Sequence, residues 1–329
     1  MLIEVRDASH AGEARRQAAK YAEEAGLGES DQGALAIVVT EMATNLLKHA
    51  RNGSIVISKF GANGTKAIRV LSLDKGPGIR NLAQALEDGH STAGSRGSGL
   101  GAIRRLSHNF EIFSAESGTA IVSEFWCGGK FPSDDSQWHS ATVTLPYPGE
   151  RVIGDGWIER QFANSVIFMV VDGLGHGYYA AEAAREAEHI VSAIAEATPT
   201  AILQDCNGAL KKTRGAAMAC AVLDFDKQLL RFGGIGNIAA SIVSPGLSRS
   251  LTSYNGTLGH QVHKIQEFSY PWSQDSILVM HSDGISTRWH LDNYPGIWSK
   301  QPALIAGVLY RDFSRGRDDV TVLVAKNHA

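Results

Sequence analysis

The sequence predicts a two-domain α+β protein. Strand-like β-branched runs and amphipathic helical patterns alternate along all 329 residues. A polar stretch bearing Gly, Pro and Ser, Gly128-Gly-Lys-Phe-Pro-Ser-Asp-Asp-Ser-Gln137, interrupts them between two apolar strands and reads as a linker. Glycine-and-acid motifs of two different kinds lie on either side of it. The expected extents are a front domain over 1–129, a linker over 130–138 and a rear domain over 139–329.

Composition bounds the function. An apolar fraction of 43% and a charged fraction of 20% are those of a soluble globular chain. A net charge of -3 provides no basic surface, so no nucleic-acid partner is expected. No apolar run reaches membrane-spanning length and the N-terminus lacks a signal-peptide core, so no membrane association is expected. Cys127, Cys206 and Cys220 are scattered and odd in number, which fits reduced thiols and a cytoplasmic location. The 12 histidines show no zinc spacing with them.

In the front half, residues 1–5 alternate as a strand. Ser9 is placed to cap a helix ending at Gly26, and Ser30 or Asp31 to cap a second helix from Ala34 to Ala50. Leu35, Val39, Met42 and Leu46 give that helix its apolar stripe. Glu41, Asn45 and His49 fall four apart and form a polar row beside it. Two strands, Ser54 to Phe60 and Lys66 to Leu73, follow as a hairpin and end in Asp74-Lys-Gly76-Pro-Gly78. After a short helix around Leu82 to Leu86 comes a Gly/Ser-rich loop, Asp88 to Gly101, opening into a helix from Ala102 to Ser107. Glycines before a helix N-terminus let backbone N–H groups close on a phosphate. Strands Asn109 to Ser114 and Gly118 to Trp126 complete the unit.

This succession of a Glu/Asn helix, a strand-end Asp-x-Gly-x-Gly and a glycine loop resembles the ATP-binding fold shared by gyrase, chaperone, histidine kinase and mismatch-repair ATPases. The segment Asp-Gly-His-Ser-Thr…Gly-Ser-Gly-Leu-Gly is most similar to the small bacterial serine kinases of the RsbT/RsbW anti-sigma group. The resemblance implies a sandwich with helices on one face of a mixed sheet, and binding of ATP with Mg²⁺. By it, Asn45 holds the magnesium and Glu41 is the base that activates the attacking hydroxyl. Asp74 accepts from the adenine amino group, Gly76 and Gly78 permit close approach, Gly97, Gly99 and Gly101 wrap the phosphates, and Thr119 supports the adenine pocket. His49 is assigned to packing, Ser91 and Thr92 to capping, and Arg96 either to stabilising the γ-phosphate or to the solvated lid.

In the rear half, Ser140 to Leu145 alternates as a strand, and Gly154-Asp155-Gly156 follows. The run Val166-Ile-Phe-Met-Val-Val reads as a buried strand that delivers Asp172 onto Gly173-Leu-Gly-His-Gly177. That carboxylate has two roles open to it, cation binding or capping of the helix from Tyr178 to Ala197. A helix from Pro199 to Lys212 follows, then strands Ala216 to Asp224, Gln228 to Gly233 and Ile238 to Val243. Ser276 to Ser282 empties onto Asp283-Gly284 as the Asp172 strand does. A helix from Ala303 to Asp312 leads to Asp318-Asp319 and the last strand, Val320 to Ala325. Asp155, Asp172, Asp283 and Asp318 thus all lie at strand ends beside glycine or a turn. Carboxylates gathered without Cys or His partners suit a hard cation, Mg²⁺ or Mn²⁺. A two-metal centre about 3.5–4 Å apart shares a hydroxide and clamps the oxygens of a phosphoryl group.

The pieces Gly-Asp155, Asp172-Gly-Leu-Gly-His-Gly, Gly-Ile-Gly-Asn237, Ser-Asp283-Gly and Asp318-Asp-x-Thr are similar to the metal-dependent serine/threonine phosphatases, in particular the SpoIIE/RsbX branch. The resemblance implies an αββα sandwich holding two Mn²⁺ or Mg²⁺. By it, Asp172 bridges both ions with help from the Gly173 carbonyl, Asp283 and Asp318 hold the second, and Asp155 holds a metal or its water. Asp318 ranks over Asp319 because the family's ligand is the first of the pair. His176 is assigned to packing or capping and Asn237 to a turn.

Together the resemblances imply a bifunctional regulator in a partner-switching pathway. Its front domain phosphorylates, and its rear domain dephosphorylates, serine or threonine on a STAS-domain antagonist protein, with a sigma factor or other switch protein as a further partner. The alternative is a phosphatase whose front domain is a non-catalytic, ATP-dependent binding module. Glu41 favours chemistry, because a mere binder needs no base there.

Overall fold

The structure is a computed structural model of the whole chain; described here are all residues except 51, 63, 87–98, 129–136, 196 and 329. The chain divides into two compact units, Met1–Asp135 with Tyr294–Arg311, and Ser136–Asn293 with Asp312–Ala329.

The first unit is built on a five-stranded sheet in the order Leu2–Glu4, Ser54–Ala62, Thr65–Leu73, Gly118–Trp126, Asn109–Ala115. Its neighbouring strands all pair antiparallel, where a mixed sheet was expected; after Thr65–Leu73 the chain passes to Asn109–Ala115 at the far edge and returns by a hairpin to Gly118–Trp126 between them. Helix Ala8–Ala25 stacks buried Ala14, Ala18 and Ala22 against this unit's core and ends on Gly26 in the left-handed region. Its N-cap is Asp7, whose carboxylate accepts from the Ser9 amide, and not Ser9 itself. The second helix runs Glu29–His49 from an N-cap at Gly28, five residues earlier than its apolar stripe suggested. Ser30 and Asp31 therefore lie inside its first turn, where acidic groups suit the positive end of the helix.

Strand Thr65–Leu73 is buried from Ala67 onward, on both faces. Ile68 and Val70 join the core beneath the helices. Leu71 and Leu73 point the other way, against Gly307 of helix Pro302–Phe313. That helix comes from near the end of the sequence, and its segment up to Arg311 belongs to this unit. Lys300 and the Gln301 amide both reach Glu111, and Tyr294 packs edge-on against Phe113.

The second unit has two five-stranded antiparallel sheets. One orders Glu267–Pro271, Leu229–Ile235, Ala216–Asp224, Ser165–Gly173, Asp155–Gln161; the other Leu247–Ser250, Ala239–Ser244, Ile277–His281, Val320–Asn327, Trp138–Leu145. The alternation along Ser165–Gly173 separates its two faces. Val166, Phe168 and Val170 pack with Leu278, Met280 and Leu323 between the sheets. Ile167, Met169 and Val171 pack with Ala183, Ala187, Ile202 and Leu203 of helices Tyr178–Ala193 and Pro199–Ala209. A strand buried on both faces is why the sequence here reads as a continuous apolar run. Among the described residues no helix is long and apolar enough to cross a membrane.

Within the first unit, Arg69 and Glu124 form an ion pair of 2.7 Å with side chains only 9% and 3% exposed. The same carboxylate accepts from Asn109, and the guanidinium lies over the Phe60 ring. Removing one member leaves an uncompensated buried charge, so Glu124→Ala should cost about 3–5 kcal/mol. Chemical denaturation of the variant checks this; a loss below about 1 kcal/mol would place the pair in the class of surface bridges.

Candidate functional site

The predicted residues fall into two groups. In the first unit Glu41 and Asn45 stand one turn apart on Glu29–His49, both half-buried. A Cβ added to Gly99 would lie 3.1 Å from Glu41 Oε2 and 3.5 Å from Asn45 Oδ1, so the last glycines of the loop are brought against this pair. A side chain at Gly99 would press on the Glu41 carboxylate, which would have to give way slightly. Gly99 opens helix Gly99–Leu106, three residues before the expected start, and Gly101 is buried within it. Gly97, Ser91, Thr92 and Arg96 lie outside the described residues.

Asp74 leaves the central strand beside the C-terminal end of the same helix: the adjoining Gly76 approaches the His49 carbonyl. Asp74 Oδ1 accepts from the Gly76 amide at 2.6 Å and from the Thr119 amide at 3.4 Å. Burial raises its pKa; the two amides and the Arg311 guanidinium oppose that rise. Arg311 also donates to the Asp74 carbonyl at 3.1 Å. Gly118 holds φ +132°, and a Cβ there would lie 1.9 Å from that carbonyl, so only glycine lets the turn before Thr119 close on it. Gly78 packs instead on the Ala115 carbonyl, next to Ser114, which hydrogen-bonds Thr119. The arrangement leaves a carboxylate held by backbone amides at one end of a helix and a Glu/Asn pair midway along it.

In the second unit Asp155 and Asp172 are direct partners across two antiparallel strands. Opposed residues of an antiparallel pair have Cβ atoms about 4.5–5.5 Å apart, and like charges there repel. Asp155 is 7% exposed, and its Oδ2 is buried without a hydrogen-bond partner. Burial raises the pKa of both; Asp155, Asp283, Asp318 and Asp319 add repulsion at Asp172, and the Ser282 and Thr321 hydroxyls partly offset the rise at Asp155. Asp283 is raised by burial and then by Asp318, and the Asn237 amide donates to its Oδ2 at 2.8 Å. An orphaned buried oxygen and carboxylates that raise one another's pKa fit a bound divalent cation. Among the described residues no three His, Cys, Asp or Glu side chains already converge as a closed cage.

Asp319 does different work from Asp318. Its two oxygens accept from the Tyr147 amide at 2.7 Å and the Gly154 amide at 3.1 Å, fastening the approach to Asp155. Gly173 donates to the Gly154 carbonyl, and a Cβ on it would strike the Ala180 carbonyl at 2.1 Å. Likewise Gly284 lies against the Asp319 backbone, where a Cβ would come within 2.0 Å of its carbonyl. His176 pairs with Glu150 at 2.7 Å and stacks on Tyr147. Sequence reasoning missed Asn237 as the partner of Asp283, Asp319 as a backbone clamp, and Arg311 behind Asp74. Asn237 carried a signal, its place at the end of Gly-Ile-Gly beside a strand; Arg311 carried none.

A helix-borne Glu/Asn pair beside a glycine-led helix, and an aspartate cluster at the rim of a two-sheet sandwich, define a kinase-like ATPase domain joined to a phosphatase domain of the PP2C type. Residues 163–328 match the family described as Stage II sporulation protein E (SpoIIE), and residues 5–123 match the histidine kinase-like ATPase domain. The chain belongs to the SpoIIE family and carries the ATPase domain ahead of it. It is similar to the serine/threonine-protein kinase RsbT of Bacillus subtilis (strain 168), 35% identical over 34% of this chain and 86% of that protein. It is also similar to the phosphoserine phosphatase RsbX of the same strain, 26% identical over 44% of this chain and 74% of RsbX. In fold it resembles RsbX solved in complex with magnesium, with a TM-score of 0.54 and 21% identity over 60% of this chain and 98% of that one.

The aspartate cluster predicts a pH-dependent response to metal. Folded carboxyls with raised pKa hold protons that the unfolded chain releases near 3.8, so without metal the cluster destabilises the fold as pH climbs above that value. Manganese should therefore raise the melting temperature more at pH 8 than at pH 5, and Asp155→Asn should shrink the difference. Equal metal shifts at both pH values would contradict this.

Proposed function

We propose that the rear domain hydrolyses phosphoserine or phosphothreonine on a protein, and that the front domain transfers the ATP γ-phosphoryl to the same class of hydroxyl. The observation that carries the first half is Asp155 opposed to Asp172 with a buried, unpartnered oxygen between the strands' ends. Divalent cations, Mn²⁺ or Mg²⁺, would supply charge neutralisation and an activated water at this centre. Asp172, with the Gly173 carbonyl, and Asp155, Asp283 and Asp318 would hold them. Asn237 fixes the Asp283 carboxylate, and Asp319 fixes the backbone before Asp155. Asp318 is preferred to Asp319 as a ligand because both Asp319 oxygens already accept from backbone amides. Asp172→Ala should lower metal-dependent hydrolysis of a phosphoester at least about 100-fold; retained turnover would remove Asp172 from the centre.

For the front domain, the nearness of Gly99 to Glu41 and Asn45 supports a nucleotide whose phosphates lie over that pair. Glu41 would take the proton of the acceptor hydroxyl, Asn45 would orient the magnesium of Mg-ATP, and Asp74 would receive the adenine amino group. Gly76, Gly78, Gly101 and Thr119 would complete the pocket in this reading; Gly97, assigned to the same pocket, lies outside the described residues. Phosphoryl transfer of this kind rests on positioning and charge neutralisation. Glu41→Ala should abolish transfer from labelled ATP to a STAS-domain protein while leaving ATP binding intact. Equal labelling by variant and wild type would favour a non-catalytic binding module instead.

The acceptor class, a STAS-domain antagonist with a sigma factor or similar switch protein behind it, is proposed from the RsbT and RsbX resemblances. Opposed activities on one chain waste ATP unless gated. Phosphatase rates measured with and without saturating non-hydrolysable ATP analogue should differ; identical rates would end the gating proposal.

A further inference from the structure

The loop that follows Asp172 carries a feature that the metal centre does not use. Leu174, Tyr178 and Tyr179 are 56%, 64% and 57% exposed, within seven residues of a buried acidic cluster. Large apolar side chains scattered singly on a surface are ordinary, but three together beside a site mark a contact surface. Leu174 and Tyr179 are drawn together by a second segment. The Leu174 amide donates to the Gly215 carbonyl at 2.9 Å, which lays residues 214–215 along the glycine loop. Arg214 then reaches over it: a Cβ on Gly175 would lie 3.2 Å from Arg214 Nη1, and the guanidinium carbon stands 4.8 Å from the Tyr179 ring centroid. Arg214 is exposed, and among the described residues no acidic side chain pairs with it. Glu150, which reaches Gly177 of the loop, is taken by His176.

From this we infer that Arg214 is a specificity-determining residue that receives the phosphoryl group of the substrate, and that Leu174, Tyr178 and Tyr179 seat the protein segment carrying it. The inference rests on the phosphatase reading above and deepens it. The occupant is a protein bearing phosphoserine or phosphothreonine, for two reasons of complementarity. A phosphate dianion approaching a rim of aspartates needs a cationic partner on the protein side, and a guanidinium stacked on a ring offers a pre-oriented fork to phosphate oxygens. Tyr179 beneath that fork, Tyr178 packed edge-on against Tyr179, and the exposed Leu174 match the anchors that bury peptide side chains at interfaces; a free phosphate or a small ester has nothing to place on them. The ring of Tyr179 limits the motion of the guanidinium, so less freedom is lost when the phosphate arrives.

The experiment uses the full chain loaded with manganese and three probes: inorganic phosphate, para-nitrophenyl phosphate and phosphorylated casein. Arg214→Ala should weaken phosphate binding, read by titration calorimetry, about 10-fold or more, with Arg214→Lys recovering part of it. The same variant should lower kcat/KM for both esters, chiefly through KM. The pair Leu174→Ala and Tyr178→Ala should leave para-nitrophenyl phosphate turnover unchanged and lower kcat/KM for casein about 10-fold. Melting temperatures check that each variant is folded. If Arg214→Ala changes neither phosphate binding nor turnover, the inference fails while the phosphatase reading stands. If wild type turns over neither ester but Arg214→Ala still loosens phosphate, the catalytic reading fails and the phosphate site stands. A Leu174/Tyr178 pair that slows both esters equally would overturn the docking half.

Discussion

Two aspartates set opposite each other across neighbouring strands are the constraint around which the rear unit is arranged. The register that pairs Asp155 with Asp172 also pairs Trp157 with Val170 and Glu159 with Phe168, so the carboxylates cannot separate without shifting the whole strand. A slip of one residue would turn Val166, Phe168 and Val170 away from the inter-sheet core. The apolar core therefore holds together two groups that repel. The backbone around them is correspondingly tight: Gly154, Gly173 and Gly284 each sit where a Cβ would collide with a neighbouring chain segment. Asp319 completes the frame through backbone amides, which leaves its neighbour Asp318 to face Asp283.

Much of this was legible because the chemistry writes itself at strand ends. A β-branched run stopping at Asp-Gly names both the buried strand and the residue it exposes, and this held for Asp172 and Asp283 alike. Strand Asp155–Gln161 was not legible. It is partly exposed, with Glu159 and Gln161 on its surface, and its apolar residues are too few to set a period. Its meaning comes from its partner, which periodicity does not record. The helix caps went astray for a related reason. Ser9 and Ser30 are good capping residues, but Asp7 and Gly28 stand where the chain actually turns. Local preference offered several starts, and packing chose among them.

The nucleotide unit shows the limit of local reading most clearly. Thr65–Leu73 looked like an ordinary strand, yet both of its faces are covered, one of them by a helix from the far end of the chain. Arg311 meets the Asp74 carbonyl across 237 positions of sequence. Its guanidinium works against the desolvation that would otherwise favour a protonated Asp74. A residue proposed to accept from an adenine amino group has to be ionised or at least an acceptor, so this distant arginine bears on recognition although it lies outside the motif.

On the proposed reading, the two centres would meet phosphoryl groups with opposite electrostatics. The front one presents a single Glu41 beside a neutral Asn45, with the helix that Gly99 opens brought against them; a triphosphate bound there as proposed would meet the N–H groups of that helix start. The rear one presents Asp155, Asp172, Asp283 and Asp318, all raising the electrostatic cost of bringing in a further anion. A phosphate dianion is repelled there until positive charge has been placed among the carboxylates. On the proposed reading, cations would therefore precede substrate, and affinity for a phosphoprotein would follow metal loading. The front centre would have no such order built into its side chains, since a bound Mg-ATP would bring its own magnesium. One domain would then be ready whenever Mg-ATP is present and the other only when divalent metal is supplied, and the difference would arise from how many carboxylates each places at the reacting group.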